Sequence, residues 1–251
     1  MRKKIIAGNW KMYKTPQESL EFLNAFLPQV HDHERNEIVL FPTITSLAAV
    51  IDRVRNTRIH AGAQTMHWLN EGAYTAQTSP IMLTSIGATH VLLGHSECRQ
   101  YANENSEHIN LKLKAAIAHN LKPVLCVGEQ IADRQSGFTR DIIMAQMGAA
   151  LSNIPVENAK HIVIAYEPVW AIGTGATASP EMANEVHRII REELAHIFNQ
   201  EVALKTRILY GGSVKPENSE SLLTQPDIDG LLIGGASLDP VSFAKIIHTK
   251  Y

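Results

Sequence analysis

The chain is poor in cysteine and aromatic residues, and it lacks any long apolar stretch. Its two cysteines, Cys98 and Cys126, are too few for a disulfide framework and are typical of a reducing compartment. No apolar run approaches the roughly 20 residues of a membrane-spanning helix, and the run that precedes Asn9 is shorter than the ~7–15 residues of a signal peptide. We therefore expect a soluble, cytoplasmic protein with no membrane partner.

The chain also lacks an excess of charge of one sign. Its 23 lysines and arginines and 25 aspartates and glutamates give a formal net charge of -2. Nucleic-acid-binding domains usually carry a basic face or stripe and a clear positive excess. We therefore expect no nucleic-acid partner.

Short apolar segments recur throughout the 251 residues. Most are continuously apolar rather than alternating, as is typical of parallel strands that are covered on both faces. Eight such segments predict eight strands, which begin near Ile5, Glu37, Ile59, Thr89, Pro123, His161, Thr206 and Asp229.

Helical patterns separate these segments, and two parallel architectures fit the alternation: a closed barrel and an open, doubly wound sheet. The count of eight units favours the barrel. An open nucleotide-binding sheet would normally show G-x-G-x-x-G after its first strand, where this chain reads GNWKMY from Gly8 to Tyr13. No linker or low-complexity segment divides the chain. We predict an α/β fold, a (β/α)8 TIM barrel, with residues 1–251 in a single domain.

Polar residues follow several predicted strands at their carboxyl ends, where barrels of this kind carry their chemistry. A lysine, a histidine and a glutamate that converge on one mouth are unusual for a purely structural barrel, although any one of them alone could simply be a solvated strand end. The residues at these ends are Asn9, Lys11, His95, Ser96, Glu97, Glu129 and Glu167.

Glycine pairs end the last two predicted strands, as Gly211-Gly212-Ser213 and Gly234-Gly235. Glycines let backbone N–H groups approach an anion closely, and the Ser213 hydroxyl is a further donor. A short helix from Ala236 to Pro240 would direct its N-terminus to the same place. Two pairs at neighbouring strand ends indicate a phosphate site.

Six motifs together resemble the triosephosphate isomerase family from one end of the chain to the other. They are AGNWK ending at Lys11, GHSE from Gly94, CVGE from Cys126, AYEPVWAIGTG from Ala165, YGGS from Tyr210 and GGASL from Gly234. The resemblance implies interconversion of dihydroxyacetone phosphate and D-glyceraldehyde 3-phosphate through an enediolate, a step of glycolysis and gluconeogenesis, without a cofactor or a metal.

The resemblance also implies roles for individual residues. Glu167 matches the family's base, and His95 matches its neutral electrophile, which a helix N-terminus would keep unprotonated. Lys11 and Asn9 would stabilise the developing negative charge and bind substrate. The phosphate would contact Gly173, Ser213, Gly234 and Gly235, while Ser96, Glu97 and Cys126 would support the site.

The stretch that follows Glu167 matches the family's lid loop. An apolar tip can cover the site and exclude water, with the Gly173 N–H on the phosphate. Pro168-Val169-Trp170 and Ala176-Thr177-Ala178 would be the two hinges. The predicted lid comprises Pro168, Val169, Trp170, Ala171, Ile172, Gly173, Thr174, Gly175, Ala176, Thr177 and Ala178.

The long connection from Gln64 to Thr78 carries aromatic residues and glycine, which suggests an interface. In the family this loop enters a second subunit, with Thr75 matching its tip and Gln64 and Tyr74 beside it, so we predict a homodimer. The chain departs from the family at Ala76-Gln77 and at Cys98, where the family often pairs a glutamate and an arginine across the dimer. It departs again at Ala176 in the second hinge, where lysine is common. These departures bear on dimer strength and lid kinetics, and Cys98 is also a candidate reactive thiol.

Three rival interpretations use the same barrel. A Schiff-base aldolase needs a desolvated lysine, whereas Lys122 precedes the fifth strand at the wrong end and only Lys11 is expected to point into the mouth. A phosphosugar isomerase of amino-acid biosynthesis would commonly use paired acids. A non-enzymatic binding protein would not need base, electrophile, lysine and lid together.

Overall fold

Eight parallel strands form a closed barrel in which each strand pairs with its neighbours in chain order and β1 pairs with β8. The structure, a computed structural model, describes residues 2–172 and 177–251. It confirms the predicted (β/α)8 barrel. The strands are β1 Ile5–Asn9, β2 Glu37–Phe41, β3 Ile59–Ala63, β4 His90–Leu93, β5 Lys122–Val127, β6 Val163–Tyr166, β7 Ile208–Tyr210 and β8 Gly230–Ile233.

Helices connect the strands and cover the outside of the barrel. Several begin at a side-chain cap: the Ser179 hydroxyl accepts the N–H of Met182, and Pro180 occupies the first turn. The α-helices of the described part are α1 Pro16–Val30, α2 Ile44–Val54, α3 Pro80–Ser85, α4 Ser96–Tyr101, α5 Ser106–Ala118, α6 Ile131–Gln135, α7 Thr139–Leu151, α8 Pro180–Ile197, α9 Gln200–Lys205, α10 Ser219–Leu223 and α11 Pro240–His248. Shorter 3-10 turns lie at Val156–His161, Val169–Ala171 and Gly235–Leu238.

The strands bury both of their faces, which explains why their sequences are continuously apolar. One set of side chains, including Ile5, Ala7 and Phe41, fills the barrel interior. The alternate set, including Ile6 and Leu40, packs against the helices. Both sets are almost fully buried, so the barrel is a packed core rather than a pore.

Ion pairs cover the amino ends of the strands. Glu37 binds Arg207 and lies 3.4 Å from Lys122, while Asp229 binds Arg2 and Arg191. The amino ends of the strands are therefore closed by charged side chains. The polar cavity lies at the opposite end of the barrel, at the carboxyl ends of the strands.

In the part of the chain that is described, no helix combines the length and the apolar character needed to cross a membrane.

Candidate active site

A cavity of about 720 Å³ opens at the carboxyl ends of the strands. Seven of the predicted catalytic and phosphate-binding residues line it: Asn9, Lys11, His95, Glu167, Ser213, Gly234 and Gly235. The supporting residues Ser96, Glu97 and Cys126 do not line the cavity but contact or adjoin residues that do. The cavity also reaches Lys215 and Lys245, so the expectation that only Lys11 among the lysines faces the mouth is wrong. The reason is that the cleft continues outward past Gly234 and Gly235.

Lys11 follows β1 in a left-handed backbone conformation, with φ of 51°. Its N–H donates to Oδ1 of Asn9 at 3.0 Å, which leaves the Asn9 amino group for the cavity. Its Nζ lies 2.7 Å from Oε1 of Glu97. The Gln64 amide donates to the Lys11 carbonyl at 2.8 Å and to the Phe41 carbonyl at 2.9 Å. Gln64 begins the predicted interface loop, yet its side chain turns inward and holds the lysine.

His95 is the N-cap residue of α4. Its Nδ1 accepts the N–H of Glu97 at 3.2 Å, so Nδ1 carries no proton and a neutral ring has its proton on Nε2. Nε2 lies 3.0 Å from Oε1 of Glu167. The neutral ring that the sequence predicts would therefore carry its proton on Nε2, facing Glu167.

The charge around His95 acts against that neutrality. Burial alone would lower the pKa of His95, but the carboxylates of Glu167 and Glu97 outweigh it and raise the pKa. The sequence could not show this effect, because it depends on a carboxylate that lies 3.0 Å away only in the folded chain. Burial and the Glu97 N–H would favour the neutral ring once the Glu167 carboxylate moves away.

Glu167 follows β6 and is 2% exposed. Its Oε1 faces His95, and its Oε2 accepts the Ser96 N–H at 2.9 Å. Burial would raise the pKa of Glu167, but attraction to the His95 ring, the Ser96 N–H and the Lys11 cation together lower it. The group is therefore a carboxylate at neutral pH. A Cβ at Gly211 would lie only 3.0 Å from its Cγ, so the glycine leaves room for this side chain.

The glycine pair after β8 faces open space. A Cβ at Gly235 would meet no atom within 4 Å, and one at Gly234 would meet only the end of the Lys11 side chain. The Gly234 carbonyl accepts both the hydroxyl and the N–H of Ser237, which fixes the start of the 3-10 turn. Ser213 faces the same part of the cavity. Donors and empty space are thus available for an anion.

The first part of the predicted lid contacts the loop after β5. The Trp170 indole N–H donates to Oε1 of Glu129 at 3.0 Å, and the Val169 N–H donates to the Glu129 carbonyl at 3.1 Å. Ile172 lines the cavity, and Ala178 in the second hinge is buried. The predicted lid residues Gly173, Thr174, Gly175 and Ala176 lie outside the described residues.

The two cysteines differ in position but share a raised pKa. Burial, aided by the negative charge of Glu167, raises the pKa of the Cys126 thiol well above its usual range. Burial, aided by Glu104, raises the pKa of Cys98 to about 11. Both thiols are therefore neutral near pH 7, which weighs against the idea that Cys98 is reactive.

The tip of the predicted interface loop is exposed. Tyr74, Thr75 and Gln77 are exposed, and Ala76 has φ of 71°, a conformation that favours glycine. The base of the loop is ordered by His67, whose ring stacks on Trp68 and lies 4.3 Å from the Tyr74 ring.

Glu129 is a residue whose importance the sequence left open. Its side chain is fully buried and accepts the Tyr166 hydroxyl and the Trp170 indole N–H, with Arg134 at 3.4 Å. Its place at a strand end was a signal, but a strand-end glutamate is equally expected in water. Nothing in the sequence around Gln64 indicates that its side chain would hold Lys11.

Among the described residues, no group of three histidine, cysteine, aspartate or glutamate side chains could hold a metal ion.

One cavity of this barrel is lined by a buried carboxylate, a histidine at a helix N-terminus and a lysine. This set of groups is typical of enzymes that use acid–base catalysis. The family model described as "Triosephosphate isomerase" matches residues 4–250. A triosephosphate isomerase of Solibacter usitatus (strain Ellin6076) is 50% identical over 248 residues, which cover 99% of this chain and 100% of the relative. Relatives of the same name from Dictyoglomus thermophilum and Picosynechococcus sp. are 48% and 49% identical over 249 residues, 99% of this chain and 100% and 99% of theirs. The chain belongs to the triosephosphate isomerase family and is accordingly an isomerase.

Proposed function

We propose that this cavity interconverts dihydroxyacetone phosphate and D-glyceraldehyde 3-phosphate through an enediolate. The observation that carries the proposal is the convergence of Glu167, His95 and Lys11 on one cavity beside the glycine pairs. Each matches, by motif and by position, a residue that the family uses. Such a reaction belongs to glycolysis and gluconeogenesis, and the two free thiols fit a reducing compartment such as the cytoplasm.

In this mechanism Glu167 is the base. Its carboxylate removes a proton from the carbon next to the substrate carbonyl, and the electron pair of that C–H bond forms the enediolate. The same carboxyl group then returns the proton to the neighbouring carbon, which completes the exchange of aldose and ketose. Both carboxylate oxygens are engaged with His95 and Ser96 in this structure, so the side chain must turn from them to reach a substrate.

His95 is the electrophile of the proposal. The substrate carbonyl oxygen takes the place of Oε1 of Glu167 at Nε2–H, and the proton moves from Nε2 to the oxygen as negative charge develops there. The ring then recovers a proton from the neighbouring hydroxyl. Lys11 supplies a cation and Asn9 an amino group beside the same oxygens, where burial strengthens their effect.

The phosphate would occupy the space before Gly234, Gly235 and Ser213, with the Lys11 cation at its edge. The lid would close over it and add the Gly173 N–H. Closure also protects the intermediate, because an enediolate exposed to water loses inorganic phosphate and becomes methylglyoxal. Deletion of residues 172–175 should raise methylglyoxal per turnover, and unchanged partitioning would contradict the lid proposal.

The experiment that tests the reaction is isomerisation of D-glyceraldehyde 3-phosphate in a coupled assay. Glu167→Asp withdraws the base by about one C–C bond and should lower kcat by roughly 10²–10³. Lys11→Met should raise KM and lower kcat. The matched control is Lys14→Met, since Lys14 lies over the Trp10 and Phe22 rings outside the cavity. No turnover by folded wild-type protein would refute the proposal.

We also propose a homodimer. Large apolar side chains are exposed on three segments: Met12 after Lys11, Tyr74 in the long loop, and Tyr101 at the end of α4. Met12 is 91% exposed and Tyr101 78%, which is costly unless a partner covers them. Met12 follows Lys11, and Tyr101 ends the helix that His95 caps, so a partner that covers them would stabilise the site.

Sedimentation velocity tests this proposal. The wild type should sediment as a dimer, and Tyr101→Glu should sediment as a monomer with reduced activity. Phe138→Glu is the control, because Phe138 is exposed on the connection between α6 and α7, away from these segments. A fully active wild-type monomer would contradict the homodimer.

A further inference from the structure

Gln146 on α7 binds both backbone polar groups of one residue in the loop after β5. Its Oε1 accepts the N–H of Gly128 at 2.9 Å, and its Nε2 donates to the carbonyl of Gly128 at 3.0 Å. A two-point contact of this kind fixes the orientation of the peptide groups on both sides of the glycine. The helix that carries Gln146 has 13 residues, so the amide is presented from a rigid element.

Gly128 lies against the backbone of the proposed base. A Cβ at this position would be 1.7 Å from the Glu167 carbonyl oxygen, a distance that only glycine permits. The Glu167 N–H donates to the carbonyl of Val127, which precedes Gly128, at 2.8 Å. Any rotation of the peptide at Gly128 therefore displaces the backbone of Glu167.

The next residue, Glu129, binds the first hinge of the predicted lid through both its backbone and its side chain. Its carbonyl accepts the Val169 N–H, and its buried carboxylate accepts the Trp170 indole N–H and the Tyr166 hydroxyl. One short loop thus contacts the base on one side and the lid hinge on the other. Gly128 lacks a side chain of its own to hold it, so restraint must come from a neighbour.

We propose that Gln146 is a positioning residue for the isomerisation, acting through Gly128 on Glu167 and through Glu129 on the lid hinge. It lies outside the residues that line the cavity and does not touch substrate. The inference rests on the proposed function, since it assigns Glu167 as the base. Loss of the contact misplaces the base and loosens the hinge, while the phosphate site at Gly234 and Gly235 is left intact. The chemical step therefore suffers more than binding.

Gln146→Met keeps the length of the side chain and removes both hydrogen bonds. We expect kcat to fall about 10- to 100-fold, because a displacement of about 1 Å at a reacting group can cost about 10²-fold. KM should change by less than about threefold, and methylglyoxal per turnover should rise.

The matched control is Asn110→Leu. The Asn110 amide donates to the carbonyls of Ala150 and Ser152 and so braces the carboxyl end of α7, away from the cavity. Asn110→Leu should lower the free energy of unfolding by about as much as Gln146→Met does, and it should keep kcat within about twofold of the wild type. A kcat for Gln146→Met that matches this control would overturn the proposal.

Gln146→Glu supplies a second readout that a purely structural role would not move. The carboxylate keeps an acceptor for the Gly128 N–H but has no donor for the carbonyl, whereas the protonated acid regains one. The activity of this variant relative to the wild type should therefore rise as the pH is lowered from 8 to 5. A constant ratio across that range would count against the proposal.

Amide hydrogen exchange separates this inference from the proposed reaction. In Gln146→Met the Gly128 and Val169 N–H groups should exchange at least tenfold faster than in the wild type, whatever the enzyme's activity. Faster exchange in Gln146→Met, together with a folded wild type that fails to isomerise, would refute the reaction but support the mechanical coupling. Unchanged exchange at both amides would refute the coupling even in an active enzyme.

Discussion

The Gln64 amide donates to the backbone carbonyl of Lys11 at 2.8 Å and so holds a residue whose φ is 51°. A non-glycine residue in the left-handed region is strained and persists only where its surroundings fix it. The second hydrogen bond of the amide, to the Phe41 carbonyl, ties the same point to β2. The position of the Lys11 ammonium in the cavity therefore depends on a glutamine that is itself outside it.

Gln64→Met should destabilise the protein and weaken substrate binding together. The methionine fills a similar volume but leaves the Lys11 carbonyl without a donor, which costs about 1–3 kcal/mol, whereas the Phe41 carbonyl keeps the Trp10 N–H. The lysine backbone can then relax, so we expect KM to rise at least fivefold. Urea denaturation at fixed protein concentration and steady-state kinetics measure the two effects.

Gln225→Met is the control for this change. Gln225 is also half-buried and lies two residues after α10, and its side chain makes one long hydrogen bond, at 3.4 Å to the Ser221 carbonyl. It should alter both quantities very little. An unchanged KM in Gln64→Met would show that the Lys11 backbone keeps its conformation without the amide.

Cys98 should be slow to react in the native protein. Burial and the nearby Glu104 carboxylate raise the pKa of its thiol to about 11, so at pH 8 only about 0.1% of it is thiolate, against roughly a quarter for a free cysteine. We expect labelling by a disulfide reagent at pH 8 to be at least about 100-fold slower than in the urea-unfolded chain. Rapid labelling of one thiol in native wild type, absent in Cys98→Ser, would contradict this.

Replacement of Ala76 by glycine should stabilise the protein. Its φ of 71° places Cβ close to the backbone, which costs an L-residue about 1 kcal/mol. Ala76→Gly removes this strain, and we expect the free energy of unfolding to rise by about 1 kcal/mol. Gly137→Ala is the mirror experiment: with φ of 77° and no atom near its missing Cβ, it should destabilise by a similar amount through backbone strain alone. Opposite signs in thermal denaturation are the expected result, and equal signs would contradict it.

The sequence predicts the barrel and the residues around its mouth because both follow from repeated, local features. Apolar runs such as that from Ile38 to Phe41 mark strands buried on both faces, and the carboxyl ends of parallel strands must meet at one end of the barrel. Asn9, His95 and Glu167 could therefore be brought together without a structure. Their reaction roles come from the family motifs around them.

The hydrogen bonds of glutamine side chains to distant backbone groups cannot be predicted from the sequence. Gln64 and Gln146 each bridge segments far apart in the chain, and a glutamine on a loop or helix has no periodicity that indicates a partner. The direction of the His95 pKa shift is equally inaccessible from the sequence, because it is set by the position of the Glu167 carboxylate in the folded chain. Distances within the folded chain decide these properties.

Buried neutral histidines should make stability fall in mild acid. His90 and His187 are fully buried, and burial lowers the pKa of His90 to about 4 and that of His187 to about 3. In the unfolded chain both titrate near 6.5, so between about pH 6.5 and 4 the unfolded state binds more protons than the native state. The free energy of unfolding must then decrease as the pH falls through this window, by about 1 kcal/mol per histidine between pH 6.5 and 5.5.

Burial also lowers the pKa values of His33, His60 and His67, so these groups add to the same trend. Two other groups have the opposite sign or a different window. The raised pKa of His95 contributes stability that is present below pH 6.5 and lost as the pH rises through its folded value, so it opposes the trend only slightly between pH 6.5 and 5.5. The strongly lowered pKa of Glu37, where burial is outweighed by His90 and Arg207, contributes stability that is lost only as the pH falls below the ordinary glutamate range. Urea denaturation at pH 6.5, 6.0 and 5.5 therefore measures the summed effect of the histidines whose pKa is lowered, and a single substitution gives the share of one of them. His187→Gln should be less stable at every pH but should show a shallower slope, by about 0.7 proton over this window. A slope equal to that of the wild type would contradict the assignment.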